Sequence, residues 1–443
     1  METVLSRLVR HLPVAVAATL WMGSGALGQP LERELVGLLR DHPQIQAADK
    51  TSQSSRQEID KALATFYPRA QALTDAGPEL IDSPGERARR QEQGLNPRTR
   101  NVATLTVTQN LFNGFASTAA TRAARLNAEI AAVTAEGTRQ ATLFEGVRAY
   151  VNVLRQRRLV DLARSNEETI QIQLNLEDER VQRGSGIAVD VLQAKSRLQI
   201  SKERRVNFEG ALQDSVSTYA QVYNHAPELE EMQDPVPPVE LLPSQIEEAV
   251  DIALNENPAV NNGDTTIEVQ GEKKRTAMAE YYPKLDVVGR ANYEKNRNSV
   301  IGTRRDYSIV LQATWDLFTG FSTQAAVAQA AYDQGASKDN LTFATRKVTE
   351  QVKLAWQALL TVRERMELLE NAINIAAEVF ESRKKLREAG KETVINVLDA
   401  ESEIFNARIN FTAASYDERI AVYQLLLAMG RLNGQHLGFE NDG

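Results

Sequence analysis

Four stretches of the chain alternate apolar and polar residues with period two, the mark of a strand whose two faces meet different media. In the plainest pair, Leu285, Val287, Gly289, Ala291 and Tyr293 alternate with Lys284, Asp286, Arg290 and Asn292. Tyr307, Ile309, Leu311, Ala313, Trp315 and Leu317 then alternate with Asp306, Ser308, Gln312, Thr314 and Asp316. Earlier, Ala103, Leu105, Val107 and Leu111 alternate with Thr104, Thr106, Thr108 and Asn110, and a fainter strand follows Pro68. The pattern predicts strands near 69–77, 102–111, 284–294 and 306–317. Their lengths approach the ~9–11 residues of a transmembrane β-strand, and Tyr293, Tyr307 and Trp315 are candidate interfacial aromatics. A soluble sandwich also alternates, but four strands in so long a chain offer no partner sheet. Closing a barrel takes about eight strands, so a membrane reading requires oligomerisation. In that reading Leu311 and Val107 face lipid, while Gln312 and Thr106 face the lumen.

The rest reads as helix. No proline occurs from Phe115 to Arg183 or from Phe321 to Ala389, which predicts long helices over 115–183 and 321–389. At about 1.5 Å per residue each reaches roughly 104 Å, far beyond a ~30 Å hydrocarbon core. Shorter helices over 44–66, 187–224 and 393–430 can run alongside them. Leu341, Thr345, Val348, Val352, Ala355, Leu359, Val362, Met366, Leu369, Ile373, Ala376 and Phe380 repeat at alternating spacings of four and three. That heptad seam predicts a left-handed coiled coil. In the first half Leu143, Val147, Tyr150 and Leu154 keep the period loosely, with Gly137 and Gly146 interrupting it.

The two halves are copies. Pro43 and Phe66-Tyr67-Pro68 recur as Pro258 and Tyr281-Tyr282-Pro283, 215 positions on. Leu111-Phe112-Asn113-Gly114-Phe115 recurs as Leu317-Phe318-Thr319-Gly320-Phe321, Gly184 as Gly390, and Val191-Leu192-Gln193-Ala194 as Val397-Leu398-Asp399-Ala400, all 206 positions on. Such displacement marks an internal duplication. The nine-residue difference falls in the first strand pair, where an expected loop, 77–100, carries Arg87, Arg89, Arg90, Arg98 and Arg100. These arginines read as solvated loop charge. Repeats over 29–224 and 245–430 flank a linker, 225–244, that contains Pro227, Pro235, Pro237, Pro238 and Pro243; residues 431–443 form a tail.

Charge and composition narrow the chemistry. With 51 Lys+Arg against 59 Asp+Glu the net charge is −8, which disfavours broad nucleic-acid binding. Residues 1–28 read as a signal peptide: Arg7, Arg10 and His11 precede an apolar run from Leu12 to Met22, then a small-residue exit at Ala26-Leu27-Gly28. Beyond it no apolar run is long enough for a transmembrane helix. Cysteine is absent, which removes disulfides, thiolate sites and lipidation through an N-terminal cysteine. The four histidines are not paired at metal-ligand spacing, so no metal or other cofactor is expected. Gly184-Ser185-Gly186 and Ala389-Gly390 sit where each long helix reverses; with no βαβ unit around them they read as helix C-caps rather than phosphate loops. Asp190, Asp399 and Glu401 follow those turns, but no histidine, cysteine or GxSxG elbow accompanies them, so enzymatic chemistry is not expected.

In this order and spacing, the duplicated half, the Tyr-Pro before a strand, the Leu-Phe-x-Gly into a long helix and the Val-Leu-Asp-Ala after the turn resemble the TolC-type outer-membrane efflux and secretion channel family. The resemblance covers essentially all of the chain beyond the signal peptide. It implies a mainly α fold with a small β part: a homotrimer whose twelve strands form one transmembrane β-barrel and whose coiled-coil helices form an α-barrel across the periplasm. It also implies a passive duct for type I protein secretion or small-molecule efflux. Its partners would be a periplasmic adaptor, an inner-membrane ABC or proton-driven transporter, and outer-membrane lipid. The alternative class is a soluble periplasmic coiled-coil scaffold. Carried over from the family's gate, Asp190 matches the linking aspartate of the first-half turn and Asp399 a pore-constricting aspartate. The second constricting position holds Asn396; Glu392 stands where a basic residue is usual and Arg387 where an aromatic is. Arg387 can pair with Asp190 instead. Adaptor contacts are expected at the turns of Gly184, Gly186 and Gly390. Glu401, about 200° around the helix from Asp399, is expected to leave conduction unaffected.

Overall fold

The computed structural model describes residues 30–297 and 301–437, apart from 83, 85, 86 and 89–94. The expected signal peptide, Arg89, Arg90 and the last six residues of the tail lie outside the described residues. The first repeat runs α1 (Leu31–Asp41), α2 (Pro43–Leu63), β1 (Arg69–Ile81), β2 (Asn96–Asn113), α3 (Ala116–Gln182) and α4 (Ala188–Tyr223). The second runs α5 (Ile246–Glu256), α6 (Pro258–Met278), β3 (Lys284–Lys295), β4 (Thr303–Thr314), α7 (Ser322–Glu388) and α8 (Val394–Met429). The duplication holds to the residue in the helices: α3 and α7 each have 67 residues, and α4 and α8 each have 36. At about 1.5 Å per residue, 67 residues span roughly 100 Å.

Local chemistry places the boundaries. α2 and α6 each begin with proline at the first helical position, where no amide hydrogen is needed, and His42 and Asn257 cap them by accepting from Gln44 N and Ala259 N. The Leu-Phe-x-Gly-Phe motif is the strand-to-helix hinge. Gly114 and Phe115 both adopt left-handed backbone, φ 66° and 69°, as do Gly320 and Phe321, φ 63° and 67°. A Cβ on Gly114 would meet the Ala279 carbonyl oxygen at 2.4 Å, so only glycine fits there. Each strained phenylalanine is held edge-on by the other aromatic of its motif, Phe112 against Phe115 and Phe318 against Phe321.

Along α7 the seam residues from Leu341 to Phe380 are all buried or half-buried, and the helix packs against α8. The main core gathers midway along the long helices, where α1 lays Leu31, Leu35 and Leu38 across Leu143, Val147 and Tyr150 of α3 and Val422, Leu425 and Leu426 of α8 close the other side. Gly146 does not simply interrupt the period. A Cβ there would strike Leu38 Cδ2 at 2.7 Å and Tyr223 Oη at 2.9 Å, so the glycine is the notch that admits α1.

The four strands form one antiparallel sheet in the order β1-β2-β3-β4. Two expected boundaries are corrected. The first pair is longer than expected, with Gly77 opposite Arg100 and Ile81 opposite Asn96, so much of the expected loop is ladder. Pro78 is tolerated because β1 is an edge strand, and Pro97 because β3 does not pair beyond Asn101 of β2. β4 runs over 303–314 rather than 306–317, because β3 offers no residue beyond Lys284 to pair past Thr314. Residues opposite one another share a face, so Ala72, Leu105, Val107, Val287, Ala291, Ile309 and Leu311 lie on one side. Gln71, Thr104, Thr106, Arg290, Asn292, Ser308 and Gln312 lie on the other. The apolar side is bare: Ile309 is 83% and Leu311 68% exposed.

Candidate functional site: the clasp between the helical tips

At the end of the molecule far from the sheet, two hairpins meet. Gly184 and Gly390, φ 76° and 73°, end α3 and α7 in the same motif: Gly184 N donates to Val181 O and Ser185 N to Arg180 O, and Gly390 N donates to Arg387 O and Lys391 N to Leu386 O. Both are therefore helix C-cap turns. Gly186 is also required, since a Cβ would meet Val181 N at 2.8 Å. Beneath the turns Ile170 and Leu174 of α3, Val191, Ala194 and Leu198 of α4 and Val394 and Leu398 of α8 form a separate apolar cluster that joins the two tips.

Over this cluster sit the charges. Arg387 of α7 grips Glu177 of α3 with both arms of its guanidinium: Nε donates to Oε1 at 3.0 Å and Nη2 to Oε2. Its Nη1 donates to the Glu392 carbonyl at 2.8 Å, tying the turn to the pair. The Glu177 side chain is only 2% exposed, and Arg180 Nη1 also donates to it at 3.3 Å. Asp190 is buried as well but lies 3.9 Å from Arg387 Nη2, at the limit of an ion pair. The expected Arg387–Asp190 pairing is thus the lesser contact, and Glu177 is the principal partner.

Asp399 is half-exposed and accepts from Arg197 Nη2 of α4 at 2.6 Å, a second bridge between the hairpins. Asn396 donates to the Glu392 carboxylate, which also accepts from Thr393 N at 3.0 Å. These two bonds, the Asn396 one foremost, hold the Glu392 carboxyl below the usual carboxylate range. Thr393 caps α8 by accepting from Asn396 N. Asn396 and Glu392 therefore organise the start of α8 within their own hairpin. Glu401 is 7% exposed, and burial pushes its carboxyl up, against the pull of Arg408 and Lys384.

Sequence reasoning missed Glu177 and Arg197. Glu177 had a signal, for it interrupts the apolar stripe Ile170, Leu174, Val181 on one face of α3, and an acid in such a stripe calls for a buried cation. Arg197 had none. Among the described residues no group of His, Asp and Glu is placed to hold a metal ion, and no helix is apolar enough to cross a membrane.

Paired helical hairpins of this length, clasped at one end and carrying an exposed four-stranded sheet at the other, are the fold of TolC-like outer-membrane channels. CusC, whose crystal structures describe folding and transmembrane channel formation, shares it with a TM-score of 0.80 at 14% identity, over 96% of this chain and 99% of that one. The outer membrane efflux protein BepC of Brucella suis is 21% identical over 96% of this chain and 91% of its own length. The alkaline protease secretion protein AprF of Pseudomonas aeruginosa is 24% identical over 89% of this chain and 83% of its own. The profile of the outer membrane efflux protein family matches residues 35–224 and 249–431, and the chain belongs to that family.

Proposed function

We propose that three copies of the chain assemble into a passive exit duct across the outer membrane and periplasm, used for type I protein secretion or small-molecule efflux. The observation that carries this reading is the sheet. Among the described residues both its edges, β1 and β4, are unpaired, and one face is a bare apolar band. A free edge seeks a strand, and a lipid-facing band needs a closed barrel; β4 of one copy against β1 of the next satisfies both, and twelve strands exceed the closing minimum of about eight. A soluble scaffold leaves the apolar face unexplained. Exposed Tyr332, Phe343, Leu354, Leu368 and Ile375 along α7 add a second apolar stripe away from its α8 seam, suited to a neighbouring copy.

The duct performs no bond chemistry of its own. Two of the tip carboxylates are engaged in ion pairs, Asp399 with Arg197 and Glu177 with Arg387. Energy comes from an inner-membrane transporter reached through a periplasmic adaptor at the Gly184, Gly186 and Gly390 turns. The clasp holds the tips shut until that engagement. Fractionation followed by light scattering in detergent tests the reading: outer-membrane recovery as a trimer is expected, and a soluble monomer without detergent overturns it.

A further inference from the structure

The polar face of the sheet is not uniform along its length. Toward the β1–β2 connection its charges are compensated: Arg100 pairs with Asp75 at 3.0 Å and Glu79 at 3.7 Å, Arg304 with Asp306 at 3.4 Å, and Glu294 with Arg297. Thr104 donates to Asn292 and Asn292 to Asp306, extending the same network across three strands. Toward the helices the balance changes. Arg69, Lys284 and Arg290 share the face with one carboxylate, Asp286, which already accepts from Asn110 at 2.8 Å. Arg290 is exposed and has no ion pair or side-chain hydrogen bond among the described residues; its cross-strand neighbours are Thr106 and Ser308, both uncharged. It sits behind Gly289 and Ala291, level with Val107 and Ile309 of the apolar band, in the middle of the sheet.

Resting on the trimeric-barrel reading above, we propose that Arg290 forms a three-membered cationic girdle halfway along the barrel lumen, which draws in and retains anionic passengers. Twelve strands spaced about 4.8 Å apart and tilted about 40° enclose a wall of radius roughly 12 Å. Guanidinium groups reaching inward from that wall come within about one Debye length, ~8–10 Å, of the axis, so a polyanion there meets all three while salt screens them only in part. A ring of fixed like charge lining a pore selects for the opposite sign. Arg69 and Lys284, nearer the helices, reinforce the field.

The test is sided block of the full-length channel in planar bilayers, with inositol hexakisphosphate added on the barrel side so that the helical tips play no part. Wild type is expected to be blocked, Arg290→Gln to lose affinity for the blocker by about tenfold or more, and Arg290→Lys to keep it. Arg290→Glu is expected to exchange anion block for block by hexaamminecobalt(III), a readout that altered packing alone does not produce. Equal block of wild type and Arg290→Gln overturns the girdle and leaves the duct standing. A wild-type protein that inserts no conducting unit overturns the duct itself, and the girdle with it.

Discussion

The Arg387→Ala substitution tests the clasp most directly. It removes two charge-assisted hydrogen bonds from a Glu177 carboxylate that is 2% exposed, and a third from the Glu392 carbonyl. Truncating one partner of a buried pair costs about 3–5 kcal/mol, most of it from the stranded charge. Arg180 remains on Glu177 at 3.3 Å and Arg387 is 17% exposed, so the cost is reduced to just below that range, about 2–3 kcal/mol per chain. At 1.4 kcal/mol per factor of ten, that shifts the closed-to-open balance of one hairpin pair by roughly thirtyfold to a hundredfold. Single-channel recording in planar bilayers is expected to show longer and larger openings than wild type. Glu177→Gln in the same chain relieves the stranded charge, so the double variant is expected to be more stable than Arg387→Ala alone, while remaining easier to open than wild type. Arg387→Lys restores charge without the two-armed geometry and is expected to fall between. Conductance of Arg387→Ala indistinguishable from wild type refutes the clasp.

Arginine at Leu311 on the lipid face is expected to cost assembly stability, up to the about 2–4 kcal/mol of a site at mid-bilayer, measured by urea denaturation in vesicles, whereas arginine at Gln312 is tolerated; equal effects reject the register. Asp399→Ala frees Arg197 at the tip and is expected to lower cation selectivity and divalent block, while Arg197→Gln frees Asp399 and raises both; reversal potentials in asymmetric salt read the two in opposite directions. Glu401→Gln is expected to raise the melting temperature at neutral pH. A carboxyl whose native pKa is raised destabilises the fold once ionised, so wild-type stability falls as pH rises from about 4.3, the ordinary carboxylate value, through the raised native value. The gap between variant and wild type therefore closes below that window, and a pH-independent gap refutes the assignment.

Periodicity alone determined most of the architecture here. Helix and strand differ in period, 3.6 against 2, and both the heptad seam of α7 and the alternation in β3 and β4 are local properties that survive in one dimension. The duplication, the C-cap glycines and the strand-to-helix hinge were equally legible, because each rests on backbone geometry that few residues can adopt. The tertiary structure decided what depends on distant neighbours. β4 ends at Thr314 because β3 runs out of partners, and β1 continues through Pro78 because an edge strand does not need that amide. The clasp was the least legible feature. Glu177 and Arg387 lie 210 positions apart and Arg197 and Asp399 202 apart, with no local pattern linking either pair. Which acid an arginine selects is settled by burial: Glu177, 2% exposed, is enclosed beneath Arg387, and only packing of the two hairpins puts it there.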